Sequence, residues 1–314
     1  MSGRVAVTGA TGFIGWHTCE RLRDAGWSVV GVARPDSRRP LPDGVERAAA
    51  ELDAEALERA GAGASAIVHA AGLTRSGSAT AYRLVNVEGT RAVAQAARAL
   101  DARLIHISSL AAAGPAPADR PHVEAADPAP ITPYGRSKLE SESVVAGTPG
   151  LRWTTVRPAV VYGPRDRQFL PLFRAARRGR MPLLPNAGSY SITMAYVSDV
   201  ARAIQMVCAS QAVDGETLFI GHPAAVSIAT LMQTVAMTLD RPYRTFSIPP
   251  PVARVAAWLR VGGMSPERLL ELTSPGFVCS VERAERVLGF RAEVDLVTGL
   301  QATAAWYVAN RWVT

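Results

Sequence analysis

One octapeptide constrains this chain more than any other feature. Thr8-Gly9-Ala10-Thr11-Gly12-Phe13-Ile14-Gly15 lies between an apolar run, Arg4 to Thr8, and a helical pattern from Phe13 to Ala25 that stops at Gly26. Strand, glycine turn and helix in that order make a cradle for a pyrophosphate. Gly9 permits the tight turn, Gly12 lets backbone approach the phosphates, and Gly15 lets the helix close on the sheet. The phosphates then meet the N–H groups that a helix leaves unpaired at its positive end. Thr11, Phe13 and Ile14 fill the same turn and join the glycines as cofactor-binding candidates.

The pattern after this turn keeps alternating. Strands are expected at Val29 to Ala33, Ala66 to His69, Leu104 to Ser108 and Trp153 to Val156. Helices are expected at Glu55 to Ala60, Thr80 to Leu100 and Tyr134 to Val145, with a loop of six prolines from Pro115 to Pro133. Short apolar strands separated by helices imply βαβ units and a parallel sheet. The expected fold is therefore α/β, a Rossmann-type doubly wound parallel sheet with a smaller C-terminal substrate-binding domain. Residues 1–157 form the first unit and 158–314 mainly the second, with some later segments returning to the sheet. The 314 residues, 48% apolar and 19% charged, carry ample core and exclude disorder as the main state. Cys19, Cys208 and Cys279 are odd in number and far apart, which excludes a disulfide scaffold, and no CxxC spacing offers a structural metal site. No stretch is long and apolar enough for a membrane span. The opening Met-Ser-Gly-Arg shows no signal-peptide layout, so the cytoplasm is the expected compartment.

Of the 34 cationic residues only Lys138 is a lysine, and it stands four residues after Tyr134. On a helix these two share a face. Thr132-Pro133 reads as an N-cap followed by proline at the first helical position, which puts Tyr134 in the first turn, near the positive helix end. An ammonium and a helix end both favour a phenolate, so a tyrosine pKa below its usual value is expected. A serine completes such a site. Ser108 and Ser109 end the Leu104 to Ser108 strand, at the sheet edge where ligands bind. Arg34, just after the second strand, sits where a 2′-phosphate would lie, and favours NADP over NAD, although Asp36 offers an alternative ribose contact.

Together these residues resemble the extended short-chain dehydrogenase/reductase family, whose members include NAD-dependent epimerases and dehydratases. The matching segments are TGATGFIG at 8–15, HAAG at 69–72, Asn86 in NVEGT, HISSLAAAG at 106–114, YGRSK at 134–138, RPAVVYGPRD at 157–166 and MAYVSDVARAI at 194–204. The resemblance implies an NAD(P) cofactor, with Tyr134 as acid/base and Lys138 binding ribose and tuning the tyrosine. It aligns Ser109 rather than Ser108 as the catalytic serine. It adds Ala70, Ala71, Gly72 and Asn86 to the cofactor site. It also implies a homodimer built on helices 80–100 and 134–146.

The departures narrow the chemistry. Leu110-Ala111 stand where 4,6-dehydratases carry an Asp-Glu pair, which argues against dehydration. Ile192 stands where nucleotide-sugar epimerases place a diphosphate-binding arginine; Arg174, Arg177, Arg178 and Arg180, spaced for one helix face, are possible substitutes. A helix with Val252, Val255, Ala256 and Leu259 suits either a cover over a greasy substrate or the packing of a small domain. The expected activity is hydride transfer at a secondary alcohol or ketone of a small, lipophilic substrate. The alternative is a UDP-sugar 4-epimerase with tightly bound NAD. An intact Tyr–Lys–Ser set argues against a mere dinucleotide sensor. The charge of +7 is spread along the chain without aromatic clusters or a recognition motif, which argues against nucleic-acid binding.

Overall fold

A computed structural model describes residues 3–76, 78–183, 185–239, 243–260 and 264–313. The chain opens with β1 (Arg4–Thr8), α1 (Phe13–Asp24), β2 (Ser28–Ala33), β3 (Glu46–Ala49), α2 (Ala54–Ala60) and β4 (Ala66–His69). After α3 (Ala79–Tyr82) come a π-helical stretch (Arg83–Glu88), α4 (Gly89–Ala99), β5 (Arg103–Ile107), α5 (Pro133–Ala146) and β6 (Trp153–Pro158). The second half runs β7 (Val160–Tyr162), α6 (Leu170–Arg177), β8 (Arg180–Leu183), β9 (Ser191–Ile192), β10 (Met194–Tyr196), α7 (Val197–Ala209) and β11 (Glu216–Ile220). It ends with β12 (Val226–Ser227), α8 (Ile228–Met237), β13 (Arg244–Ser247), α9 (Pro250–Trp258), α10 (Pro266–Leu272), β14 (Gly276–Phe277), α11 (Glu282–Leu288) and α12 (Leu296–Ala309).

Seven strands form one parallel sheet in the order β11-β6-β5-β4-β1-β2-β3. Successive side chains point to opposite faces of a strand, so each face needs its own cover. On one face Val5, Val7, Val68 and Ile105 pack with Cys19 and Leu22 of α1 and Ile204 and Val207 of α7. On the other, Ala6, Val32, Ile67 and Leu104 meet Leu57 of α2, Val93 and Ala97 of α4, and Val145 of α5. The strand order reverses direction between β1 and β4, and ligand crevices in such sheets open at the carboxyl ends of the strands at that point.

The later residues build small sheets beside this one: β10 with β7, β13 with β8, and β9 between β12 and β14. β11 returns to pair with β6, and α7 packs beside α1. Two features depart from expectation. The helix expected at 80–100 is broken by the π-helical stretch, whose extra residue per turn carries no signal in an alanine-rich sequence. β3 was not expected at all, because Glu46-Arg47-Ala48-Ala49 is a polar, largely exposed edge strand without apolar alternation. Among the described residues, no helix is long and apolar enough to cross a membrane.

Candidate active site

The glycine turn has the geometry of a phosphate cradle. Gly9 adopts a φ of 70°, and a Cβ there would lie 2.6 Å from the Ala71 nitrogen. A Cβ on Gly15 would collide with the Gly9 carbonyl, so α1 packs onto the turn only because it is absent. Gly12 is the N-cap of α1 and no side chain caps the helix, which leaves backbone N–H groups at its start for a ligand. The turn thereby rests against Ala70 and Ala71, with Gly72 following at the end of β4.

Asn86 is buried and its amide is fully used within the protein. Its Oδ1 accepts from the Leu73 N–H at 2.7 Å, and its Nδ2 donates to the Leu73 carbonyl at 3.0 Å and to Ser137 Oγ at 2.9 Å. The π-helical turn sets the side chain at this position, where it ties the segment after Gly72 to α5. Arg34 directly follows β2, is largely exposed, and lies 3.7 Å from Asp36.

α5 starts as the sequence implies. Thr132 Oγ1 accepts from the Gly135 N–H at 3.1 Å, and Pro133 occupies the first turn. Tyr134, Lys138 and Glu142 follow at i, i+4 and i+8, on one face. That face meets three successive residues at the end of β5. The Ile107 carbonyl accepts from Lys138 Nζ at 2.7 Å. The Ser108 hydroxyl donates to Glu142 Oε1. The Ser109 hydroxyl interacts with the Tyr134 phenol and also accepts from the Ala111 N–H at 3.2 Å, capping a short turn over Leu110–Ala112. The structure thus brings Ser109, Tyr134 and Lys138 together, and turns Ser108 away into the interior. Below them, Arg157 on β6 grips Glu142 through two hydrogen bonds of 2.9 and 2.6 Å, with both side chains buried.

The electrostatics correct one expectation. Burial pushes the Tyr134 phenol up to about 12; Ser109 pulls the other way, while Glu271 of α10 and Tyr82 add to the rise. Desolvation dominates here, and the opposing pull comes from Ser109. Lys138 is itself pushed down to about 8 by burial, partly offset by Glu142. The phenol is therefore neutral at physiological pH, the form that carries a proton to donate.

Other sequence expectations find their places. Leu110 is buried and Ala111 carries no acid, so no carboxyl follows Ser109 directly. Ile192 is buried in β9. The four arginines do not share one helix face: α6 ends at Arg177, Arg174 donates to the Trp312 carbonyl and Arg180 stacks on Phe246. Val252, Val255 and Leu259 of the α9 region are exposed and not packed in a core. The three cysteines are free and buried. Among the described residues no cluster of potential ligands can hold a metal ion. Four residues that act on the site were missed. Glu142 and Arg157 were legible as i+8 from Tyr134 and as the start of RPAVVYGPRD. Glu271 and Tyr82 had no signal, because only the tertiary fold carries them to Tyr134; the Tyr82 and Tyr134 rings lie 5.9 Å apart.

Comparisons with known proteins find relatives of this chain and of its fold. Residues 5–221 match a family model described as the NAD dependent epimerase/dehydratase family. A ceramide reductase from Caulobacter vibrioides is 31% identical over 99% of this chain and 96% of its own length. A 2-alkyl-3-oxoalkanoate reductase from Stenotrophomonas maltophilia is 28% identical over 96% of this chain and 98% of its own. Among solved structures, MoeE5 in complex with UDP-glucuronic acid and NAD superposes with a TM-score of 0.82 at 26% identity, covering 98% of this chain and all of that one.

Proposed function

We propose that this chain, which belongs to the NAD dependent epimerase/dehydratase family, reduces the ketone of a lipophilic substrate to a secondary alcohol. The observation that carries the reading is the Tyr134 phenol facing Ser109 at the carboxyl end of β5, with Lys138 one turn along the same helix face. Both full-length relatives above are named reductases, and one name specifies a 3-oxo group on an alkyl chain.

The residues present fit a nicotinamide dinucleotide. The uncapped start of α1 and the tight glycine turn, whose Gly9 and Gly15 leave no room for a Cβ, are shaped for a diphosphate. Gly9, Thr11, Gly12, Phe13, Ile14 and Gly15 hold it, Ala70, Ala71 and Gly72 form the facing wall, and Lys138 reaches the ribose. Asn86 acts by holding that wall to α5. Arg34 pairs with a 2′-phosphate, which favours NADP. When bound in reduced form, the nicotinamide supplies the hydride.

The chain does the rest. Ser109 donates a hydrogen bond to the substrate carbonyl oxygen and orients it. Tyr134 donates its phenolic proton to that oxygen as negative charge develops there. Lys138, held by the Ile107 carbonyl, keeps a positive charge beside the resulting phenolate.

A second reading has one observation behind it: a structural neighbour at 26% identity is described with a nucleotide sugar and NAD. A 4-epimerase on this scaffold would oxidise and re-reduce its substrate without net cofactor use. The buried Ile192 in place of a diphosphate anchor weighs against it.

The test is titration of purified protein with NADH and NADPH, then turnover with medium- and long-chain 3-oxo compounds. Reversible NADPH binding and stoichiometric oxidation support the reductase. A tightly retained NAD, with interconversion of nucleotide sugars and no net oxidation, replaces it with the epimerase. Arg34→Ala should weaken NADPH binding about tenfold and NADH binding less than twofold, the loss expected of one charge-assisted contact. Equal losses remove the argument for NADP.

A further inference from the structure

α9 is built inside out. Its two buried residues are alanines, Ala253 and Ala257, one turn apart on the side that faces the protein. Its bulky apolar residues point the other way. Val252 and Val255, with Leu259 at the helix C-cap, follow i, i+3, i+7 spacing and are 55%, 57% and 57% exposed, and Trp258 beside them is 77% exposed. A surface helix normally turns such residues into the core. The effect is local. Six of the eleven large apolar side chains most exposed among the described residues fall between Phe246 and Leu270, so the patch is not the ordinary scatter of single apolar residues.

The charge on α9 and at its C-terminal end has one sign. From Arg244 to Pro266 the sequence holds three arginines and no acidic residue, Glu267 and Glu271 following in α10. Arg254 lies within α9 and Arg260 just beyond it, both exposed. An exposed tryptophan, an apolar stripe and flanking arginines are the chemistry of a helix that lies in a membrane interface, apolar face in the acyl boundary and cations among anionic headgroups. A water-soluble protein partner would need an acidic rim; a bilayer supplies both properties in one plane.

We propose that α9 docks this protein onto the surface of an anionic lipid bilayer through Val252, Val255, Trp258 and Leu259, with Arg254 and Arg260 on the headgroups. α9 packs against α10, and α10 carries Glu271, which acts on Tyr134. Docking therefore sets the bilayer one helix away from the catalytic tyrosine, where a lipophilic ketone arrives without crossing water. The inference stands on the surface alone and is tested without turnover, so a protein that binds lipid yet reduces no ketone loses only the functional reading.

The experiment is co-sedimentation of the full chain with vesicles of phosphatidylcholine alone or with about a third phosphatidylglycerol. Binding should be at least tenfold stronger to the anionic vesicles. Val255→Asp/Trp258→Asp should lose at least tenfold, and Trp258→Phe should retain binding. Thermal melting and NADPH affinity serve as controls, since all these positions are exposed. Equal binding to neutral vesicles overturns the proposal. So does unchanged binding of the double aspartate variant, which would reduce the effect to overall positive charge. If the double variant instead converts a dimer to a monomer in analytical ultracentrifugation, the face belongs to a second copy of the chain and the proposal also falls.

Discussion

The phenol of Tyr134, pushed up to about 12 by burial, is neutral throughout the physiological range. It therefore carries the proton that reduction requires, although a phenol raised this far is a weaker acid than a free one. Tyr134→Phe should lower the reductive kcat by about 10²–10⁴-fold, the range for a lost general acid, while NADPH affinity changes by less than twofold. Activity within a few-fold of wild type would remove the acid role. Lys138 sets the other limit. Its ammonium, pushed down to about 8, is charged below that pH and lost above it. The rate of reduction should therefore fall as pH rises through about 8. Lys138→Arg should abolish that limb, since guanidinium stays protonated, and also lower kcat, since a planar fork does not fit a slot built for one donor to Ile107. At this scale the sequence was informative: a lone lysine and a TP dipeptide located the helix start and two candidate catalytic side chains. It was silent on which effect would win at Tyr134. Charge neighbours are readable along a helix, but burial is a property of everything packed above it.

The contact between β5 and α5 joins residue to element. Ile107, Ser108 and Ser109 meet Lys138, Glu142 and Tyr134, so the strand end and the helix face share one register. Glu142 is the acidic part of that seam, and Arg157 pairs with it in the interior. Glu142→Ala should leave the Arg157 guanidinium buried without a counter-charge and destabilise the fold by about 3–5 kcal/mol, read from the denaturant midpoint. Adding Arg157→Met should restore most of that loss. If the double variant is no more stable than the single, the two side chains are not coupled. The elements themselves were largely legible. Buried strands such as Val5–Val7 and Ile67–Val68 have no polar face to confuse them, and Asp53, Thr132 and Asp295 all cap helices through their side chains. The misses share a cause. β3 is defined by its hydrogen bonds to β2 and not by its side chains. The π-helical turn at Arg83–Glu88 is defined by what Asn86 must reach. α9 hides its inversion because alternating alanines and valines read as apolar from either side.

For the whole molecule, acid is the condition that should test the fold hardest, and two histidines beneath the site explain why. His69 and His106 stack with centroids 5.6 Å apart, fully buried between β-strands and helices. His69 contacts Thr8 and Thr90 through its two ring nitrogens, and His106 contacts Ser141. Burial, and then the nearby Lys138 charge, push His69 down to about 3 and hold His106 well below its usual range. In the unfolded chain both titrate near pH 6.5. Their folded pKa values are depressed, so the stability they contribute is present above pH 6.5 and is lost as pH falls toward about 3. Between about pH 5.5 and 4 the unfolded state binds two more protons than the folded one at these sites. Stability should then fall by about 2.7 kcal/mol per pH unit from this pair. His106→Gln should halve that contribution to about 1.4 kcal/mol per unit, measured by urea denaturation across the same window. Comparing the two slopes cancels the carboxylates, including Asp166 and Glu271, whose raised pKa values oppose the trend. An unchanged slope in the variant would mean that His106 is protonated in the folded protein. The buried polar layer between the glycine turn and Lys138 would then carry a charge that the neutral pair described above does not.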